Sequence, residues 1–193
     1  MKIYTVINPE YLTNIYFITD DDSKYGVIID PGSFDSNVYS LIKFTKASIN
    51  KIIITHNDKA QTAGIPLIKK IFDAEIYSFS DKIMGFDSNK IRDKDIITEG
   101  KLNFRVIDTK IHSLDSISVL IDNALFIGDI FQAGSLDSID KTKEPADYEL
   151  KVIKEKILNL DDNTIIYPGQ GPATTLEIEK KFNPYFRKIL SRY

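Results

Sequence analysis

The sequence predicts an α+β architecture in which β-sheets are covered by helices, and three observations lead there. Along its 193 residues a strand-rich stretch gives way to a mixed one, and the same order then recurs. A simple doubly wound βαβ fold would alternate strand and helix throughout. The apolar runs are short and end in Pro-Gly or polar loops, as buried strands do. There is no internal repeat and no low-complexity linker, so residues 1–193 are expected to form a single domain.

The elements follow in order. Residues 2–7 and 15–20 read as strands from their β-branched and aromatic content. Asp20-Asp21-Asp22-Ser23 is a polar hairpin turn leading into a strand from Tyr25 to Ile29, which Asp30-Pro31-Gly32 stops. Val38, Leu41, Ile42 and Thr45 recur at helical spacing. Lys51 to Thr55 is a short strand buried on both faces. Beyond the loop His56 to Gln61, a helix presents Ile65, Ile68 and Phe72 on one face, with Pro66 in its first turn, where a missing N–H costs little. Glu75 to Phe79 is a further strand, and the polar residues 80–100 carry no clear pattern. Leu102 to Ile107, Ser116 to Ile121 and Ala124 to Ile127 are strands, the last two joined by a tight turn at Asp122-Asn123. A long loop spans 129–146. Tyr148 to Leu160 is an amphipathic helix with Leu150, Ile153, Ile157 and Leu160 inward. Thr164 to Tyr167 is a strand ended by Pro168-Gly169. Thr174-Thr175-Leu176-Glu177 is a capping-box pattern opening a helix, and Pro184 starts the last one, ending near Arg192.

Composition narrows the function. The chain has no cysteine, which removes disulfides, thiolate metal sites and a cysteine nucleophile. Its 25 basic and 28 acidic residues nearly balance, which argues against a nucleic-acid binder working by bulk charge. The apolar runs are too short to span a membrane. The start, Met1-Lys2-Ile3-Tyr4-Thr5, lacks a signal-peptide core, so a cytoplasmic location is expected. Only two histidines exist, so a metal site must draw on those two and on carboxylates.

Three loops follow short apolar strands and carry polar clusters: Thr55-His56-Asn57-Asp58, the segment around His112, and Gly128-Asp129. Strand ends that point at one cleft are a common way to assemble a site. Both histidines lie in these loops, and imidazole with carboxylate is a ligand set for zinc or non-haem iron. The plain alternative is two ordinary loop histidines.

These landmarks, with Asp30-Pro31-Gly32 before them and Pro168-Gly169-Gln170-Gly171-Pro172-Ala173-Thr174-Thr175 after, resemble those of the metallo-β-lactamase superfamily. Asn183-Pro184 close behind looks like its glyoxalase II-like branch. The resemblance runs from about Asp30 to Pro184. It implies an αβ/βα four-layer sandwich, two mixed β-sheets face to face with helices outside, and a metal site at one edge between the sheets. The family's first metal motif is Thr-His-x-His-x-Asp-His. His56 matches its first histidine, Asp58 replaces the second, and Ala60 and Gln61 replace the aspartate and last histidine. In the next landmark only His112 and Ser116 survive. Asp129 matches the bridging aspartate, and Gln170 replaces the final histidine.

The resemblance therefore implies one usable metal position, on His56, Asp58, His112 and Asp129, and a second that Ala60, Gln61 and Gln170 have lost. The expected cofactor is one divalent metal, zinc first and iron second, with a metal-free site as the alternative. Asp58 would be the fourth ligand or a catalytic base; its bland reading is an Asx turn or helix cap. Asp30 resembles a family aspartate supporting the metal loops, or else simply ends a strand. Gly169 and Gly171 supply backbone conformations that other residues resist. Lys180, Lys181, Arg187, Lys188 and Arg192 form solvated helical faces.

The leading expectation is a metallohydrolase-like protein of slow turnover, acting on a small thioester or ester through metal-activated water. Asp137-Ser138 stands where glyoxalase II-like members carry Gly-Arg, and the chain ends soon after Asn183-Pro184, leaving no room for a glutathione-binding helical domain. A glutathione thioester is thus not the expected substrate; the partner is an unidentified small molecule. The alternative is a catalytically inactive member kept as a binding or interaction module. A third reading is a mononuclear iron sulfur dioxygenase on His56, His112 and Asp129, the residues that match the persulfide dioxygenases of this superfamily.

Overall fold

A computed structural model of the chain describes residues 1–20, 24–136 and 147–191. The expected turn at 21–23, the Asp137-Ser138 position and Arg192 lie outside the described residues.

The first sheet is built from β1 (Lys2–Ile7), β2 (Asn14–Thr19), β3 (Tyr25–Ile29), β4 (Ser48–Ile53), β5 (Glu75–Ser78) and β8 (Asn89–Lys90), adjacent in that order. β1, β2 and β3 pair antiparallel; β3, β4, β5 and β8 pair parallel. The small β6 (Lys82–Ile83) and β7 (Phe86–Asp87) pair with each other in the stretch that showed no pattern. The second sheet runs β16 (Thr174–Thr175), β15 (Ile165–Pro168), β12 (Ala124–Gly128), β11 (Ile117–Ile121), β10 (Leu102–Asp108) and β9 (Ile96–Glu99). It is antiparallel except where β12 meets β15. Within the expected loop 129–146, β13 (Phe131–Gln132) and β14 (Ser135–Leu136) form a short hairpin.

Strand alternation sorts the side chains into layers. Val27, Ile29 and Ile53 point between the sheets with Tyr16, where they meet Phe104, Val119 and Phe126. Ile28 and Ile52 point the other way, onto α1 (Ser36–Thr45) and α3 (Ile65–Ile71), through Val38, Ile42, Ile65 and Ile68. A four-residue helix, α2 (Lys59–Thr62), precedes α3. Leu125 and Ile127 on the outer face of the second sheet pack on Ile153, Ile157, Leu176, Phe186 and Ile189. These come from α4 (Asp147–Val152) with its continuation to Ile157, α5 (Leu176–Phe182) and α6 (Pro184–Ser191). Helix, sheet, sheet, helix is the expected four-layer sandwich.

Two local expectations are corrected. The helix expected over Tyr148–Leu160 widens to a π-turn at Ile153–Ile157, where Leu158 N–H bonds the Ile153 carbonyl at 2.9 Å, although Ile153 and Ile157 both stay inward. The cap of α5 is Thr175, which accepts from Ile178 N–H, and not Thr174 of the capping-box pattern. The hydroxyl of Thr174 instead donates to the buried Glu179 at 2.9 Å. Among the described residues no helix is long and apolar enough to cross a membrane.

Candidate metal centre

The parallel strands deliver the site. β3 ends at Ile29 and the chain turns at Asp30, which holds φ +50°, in the left-handed region. β4 ends beside it, and Thr55 and His56 follow. Asp30 is 3% exposed and accepts two hydrogen bonds from Thr55: the backbone N–H at 2.8 Å and the hydroxyl at 2.7 Å. The Thr55 oxygen also lies 3.1 Å from His56 Nδ1. With Asp30 ionised, the Thr55 proton is committed to the carboxylate. The Thr55 oxygen can then only accept from Nδ1–H, which leaves a lone pair on His56 Nε2. That Nε2 is buried with no hydrogen-bond partner.

β12 ends at Gly128, and Asp129 follows. Gly128 has φ +56°, and a Cβ there would stand 2.6 Å from Thr55 Oγ1 and 3.4 Å from His56 Nδ1. Glycine thus serves both the turn and the close approach of the two strand ends. Asp129 Oδ2 faces His56 Nε2 at 3.8 Å and accepts from Gln61 Nε2 at 3.2 Å. Gly169 packs behind the carboxylate: a Cβ there would come within 2.0 Å of Asp129 Oδ1. Its φ is ordinary, so the reason for glycine is space rather than backbone freedom; Gly171, at φ +82°, is the conformational one.

His112 arrives on the loop between β10 and β11. Ser113 N–H bonds Ser116 Oγ, and Ser113 Oγ bonds Asp115 Oδ1 at 2.6 Å. Asp115 Oδ2 accepts from Asn57 N–H at 2.9 Å, and Ile117 N–H bonds the Thr55 carbonyl at 2.9 Å. These contacts tie the two histidine loops together. The imidazoles meet edge to face, with centroids 4.7 Å apart.

One ligand atom each from His56, His112 and Asp129 lies within 4.8 Å of the others. A tetrahedral ion with bonds of about 2.0–2.2 Å spaces its ligand atoms roughly 3.3–3.6 Å apart, so the three side chains would close by up to about an ångström around an ion. Two buried imidazole nitrogens, His56 Nε2 and His112 Nδ1, have no hydrogen-bond partner. A buried polar atom left unsatisfied is costly, and a metal ion satisfies it. Burial and the neighbouring His112 lower the pKa of His56 to about 4. The ring is therefore neutral at pH 7, the form that coordinates. The residues fit a divalent ion.

Asp58 stands apart from this trio. It is exposed and caps α2, its Oδ1 accepting from Ala60 N–H at 3.3 Å. Gln61 does more than mark a missing ligand, since it hydrogen-bonds Asp129. Gln170 bonds the Gln132 amide at 3.3 Å. Thr55 escaped the sequence reading because its partner Asp30 lies 25 residues away; a hydroxyl directly before a strand-end histidine was the one available sign. Of the cationic helical faces, Lys180 is paired with Asp162 at 2.6 Å.

A probable metallo-hydrolase of Streptococcus pyogenes is 25% identical over 96% of this chain and 90% of its own length. The hydroxyacylglutathione hydrolase GloC of Haemophilus influenzae is 25% identical over 86% of this chain and 89% of its own. The crystal structure of the BLEG-1 B3 metallo-β-lactamase superposes with a TM-score of 0.81 at 24% identity, covering 96% of this chain and 99% of that one. The sequence profile of the Metallo-beta-lactamase superfamily matches residues 8–170, and the chain belongs to that superfamily.

Proposed function

We propose that the chain is a hydrolase that holds one divalent metal ion, zinc or iron, on His56, His112 and Asp129, and cleaves a small ester or thioester. The observation that carries this reading is the convergence of those three side chains beside two buried, unpartnered imidazole nitrogens. Similarity to metallo-hydrolases and to a hydroxyacylglutathione hydrolase supports the reaction class. A bound divalent ion supplies Lewis acidity and water of lowered pKa.

The chain's own residues prepare the site. Once Asp30 is ionised, it and Thr55 hold His56 in the tautomer that presents Nε2. Gln61 fixes one oxygen of Asp129, and Gly169 leaves space for the carboxylate. Asp58, exposed and outside the trio but close enough to act electrostatically on His56, is the candidate base for a proton from water or leaving group. Ala60, Gln61 and Gln170 supply no ligand for a second ion, so one ion per chain is expected.

A second reading, a metal-free binding module, draws on the Gln61–Asp129 and Gln132–Gln170 hydrogen bonds, in which neutral amides engage that side of the site. Metal analysis of protein purified without chelator separates the two. About one zinc or iron per chain, lost in His56→Ala and His112→Ala, supports the enzyme. A content far below one that does not rise when zinc or iron is added overturns it.

A further inference from the structure

We infer that Asp115 is a positioning residue for the metal centre, its carboxylate clamping together the loops that carry His56 and His112; this rests on the one-ion reading above. Each carboxylate oxygen holds the residue that directly follows one of the imidazoles. Oδ2 accepts from Asn57 N–H at 2.9 Å, and Oδ1 accepts from the Ser113 hydroxyl at 2.6 Å. The path from ring to ring therefore runs from His56 to Asn57, through the Asp115 carboxylate, to Ser113 and His112.

The His112 loop depends on side chains for its order. Between β10 and β11 the chain reads Thr109-Lys110-Ile111-His112-Ser113-Leu114-Asp115-Ser116, with no proline to fix a backbone angle. Ser116 N–H bonds the Ser113 carbonyl at 3.2 Å, and Ser113 N–H bonds Ser116 Oγ at 2.9 Å, which closes a turn over 113–116. Leu114 in that turn is 86% exposed and contributes little packing. These bonds order the loop internally and leave open where it stands against the His56 loop. Ile117 N–H, bonded to the Thr55 carbonyl, joins the two segments on the strand side of the site. Asp115 joins them one residue past each imidazole.

The rings of a working centre have to be held to within about 0.5 Å, so a shift of either loop reaches the ion through its histidine. The clamp is read directly in the contact it maintains: the two imidazoles sit edge to face, 4.7 Å between centroids. An amide can replace the carboxylate. Asparagine would turn its oxygen to Asn57 N–H, which only donates, and its Nδ2 to Ser113 Oγ. The Ser113 proton would then go to Ser116 Oγ, 2.7 Å away. Alanine offers neither contact.

The test compares the full chain with Asp115→Ala and Asp115→Asn. Only two histidines exist, so in histidine-labelled, metal-free protein an NMR cross-peak between their rings reports the contact without ambiguity. Competition against a chromophoric chelator reports zinc affinity. The Ile117–Thr55 bond is untouched in both variants and keeps the strand ends joined. Asp115→Ala is expected to lose the cross-peak and to bind zinc at least tenfold more weakly, as loss of a partner that orients a ligand does. Asp115→Asn is expected to keep the cross-peak and to bind zinc within threefold of the unsubstituted chain. An alanine variant that keeps the ring contact, or binds zinc within threefold, overturns the clamp, and so does an asparagine variant as impaired as the alanine one. Should the unsubstituted chain bind no zinc, the one-ion reading falls, and the ring contact in the metal-free variants decides by itself whether Asp115 pairs the imidazoles.

Discussion

Replacing Asp30 with asparagine tests how the site prepares His56. The change is nearly isosteric, and asparagine tolerates the φ of +50° at this position. Thr55 N–H can only donate, so the asparagine must keep its carbonyl oxygen there, where Asp30 Oδ1 now accepts at 2.8 Å. The amide nitrogen then replaces Oδ2, 2.7 Å from the Thr55 hydroxyl, and donates to it. Thr55 must send its own proton to His56 Nδ1, which moves the imidazole proton to Nε2 and removes the lone pair aimed at Asp129. Recovering that lone pair means breaking one buried hydrogen bond, about 1–3 kcal/mol, or roughly a 10- to 100-fold loss of metal affinity. Competition for zinc against a chromophoric chelator measures it, with thermal unfolding of both metal-free proteins as the control for folding. Zinc affinity within threefold of the unsubstituted chain would refute the relay.

Burial pushes the Asp30 carboxyl from an ordinary 3.8 up to about 7. Its folded pKa thus exceeds its unfolded one, so its stabilising contribution is complete below about pH 4 and is lost as pH rises through 7. In metal-free protein, unfolding stability relative to Asp30→Asn should fall between pH 4 and 8 by up to about 4 kcal/mol; a flat difference would contradict it. The lowered pKa of His56 acts in the opposite sense between about 4 and 6.5, so the Asp30 contribution is read most cleanly above pH 6.5. Gly169→Ala places a Cβ 2.0 Å from Asp129 Oδ1 and 3.0 Å from the Gly128 carbonyl carbon. It should cost about 1–3 kcal/mol of stability and at least tenfold in zinc affinity, and unchanged affinity would show that the carboxylate is not a ligand. Combining Ala60→Asp, Gln61→His and Gln170→His should raise metal content from one to two per chain. Elemental analysis that stays at one would reject the assignment of those three positions.

The long, strongly patterned elements were legible in the sequence because burial there follows a single period. β3 falls on the expected residues 25–29, and α1 carries Val38 and Ile42 inward as their spacing requires. The strands at 82–83, 86–87 and 89–90 were not legible, since two residues contain no period to read. The cap at Thr175 was misplaced by one residue because Thr174 is engaged by Glu179, a contact with no signal in the local sequence pattern. At the site, the convergence of His56, His112 and Asp129 could be expected from motif order, whereas for Asp58 the sequence left metal ligand and helix cap both open. Asp58 follows His56 closely enough to look like a ligand, yet it caps α2, so its carboxylate engages the helix N-terminus. Gln61 was legible only as a missing histidine; that its amide would reach Asp129 depends on how α2 is set against the end of β12.

The free energy stored around this site separates a working centre from a worn-out one. Asp30 holds a left-handed backbone and a buried carboxyl with its pKa pushed up to about 7. Gly128 takes a positive φ so that two strand ends can approach. His56 Nε2 and His112 Nδ1 are buried without partners. The left-handed Asp30 and the unpartnered nitrogens each cost the apo fold about 1–3 kcal/mol, for backbone strain or for an unmade buried hydrogen bond, whereas Gly128 takes its positive φ without strain. Well-packed apolar residues in such a place are often neutral or stabilising, so folding alone gives no reason for these features. One ligand class offsets more than one of them: a cation between His56, His112 and Asp129 would satisfy His56 Nε2 and favour the ionised form of Asp30. The lost second position carries part of the same demand: Gln61 Nε2 and Gln170 Oε1 are hydrogen-bonded, but Gln61 Oε1 is buried without a partner. Two imidazole nitrogens against one neutral amide oxygen still favour the first position, which is where a single ion is expected.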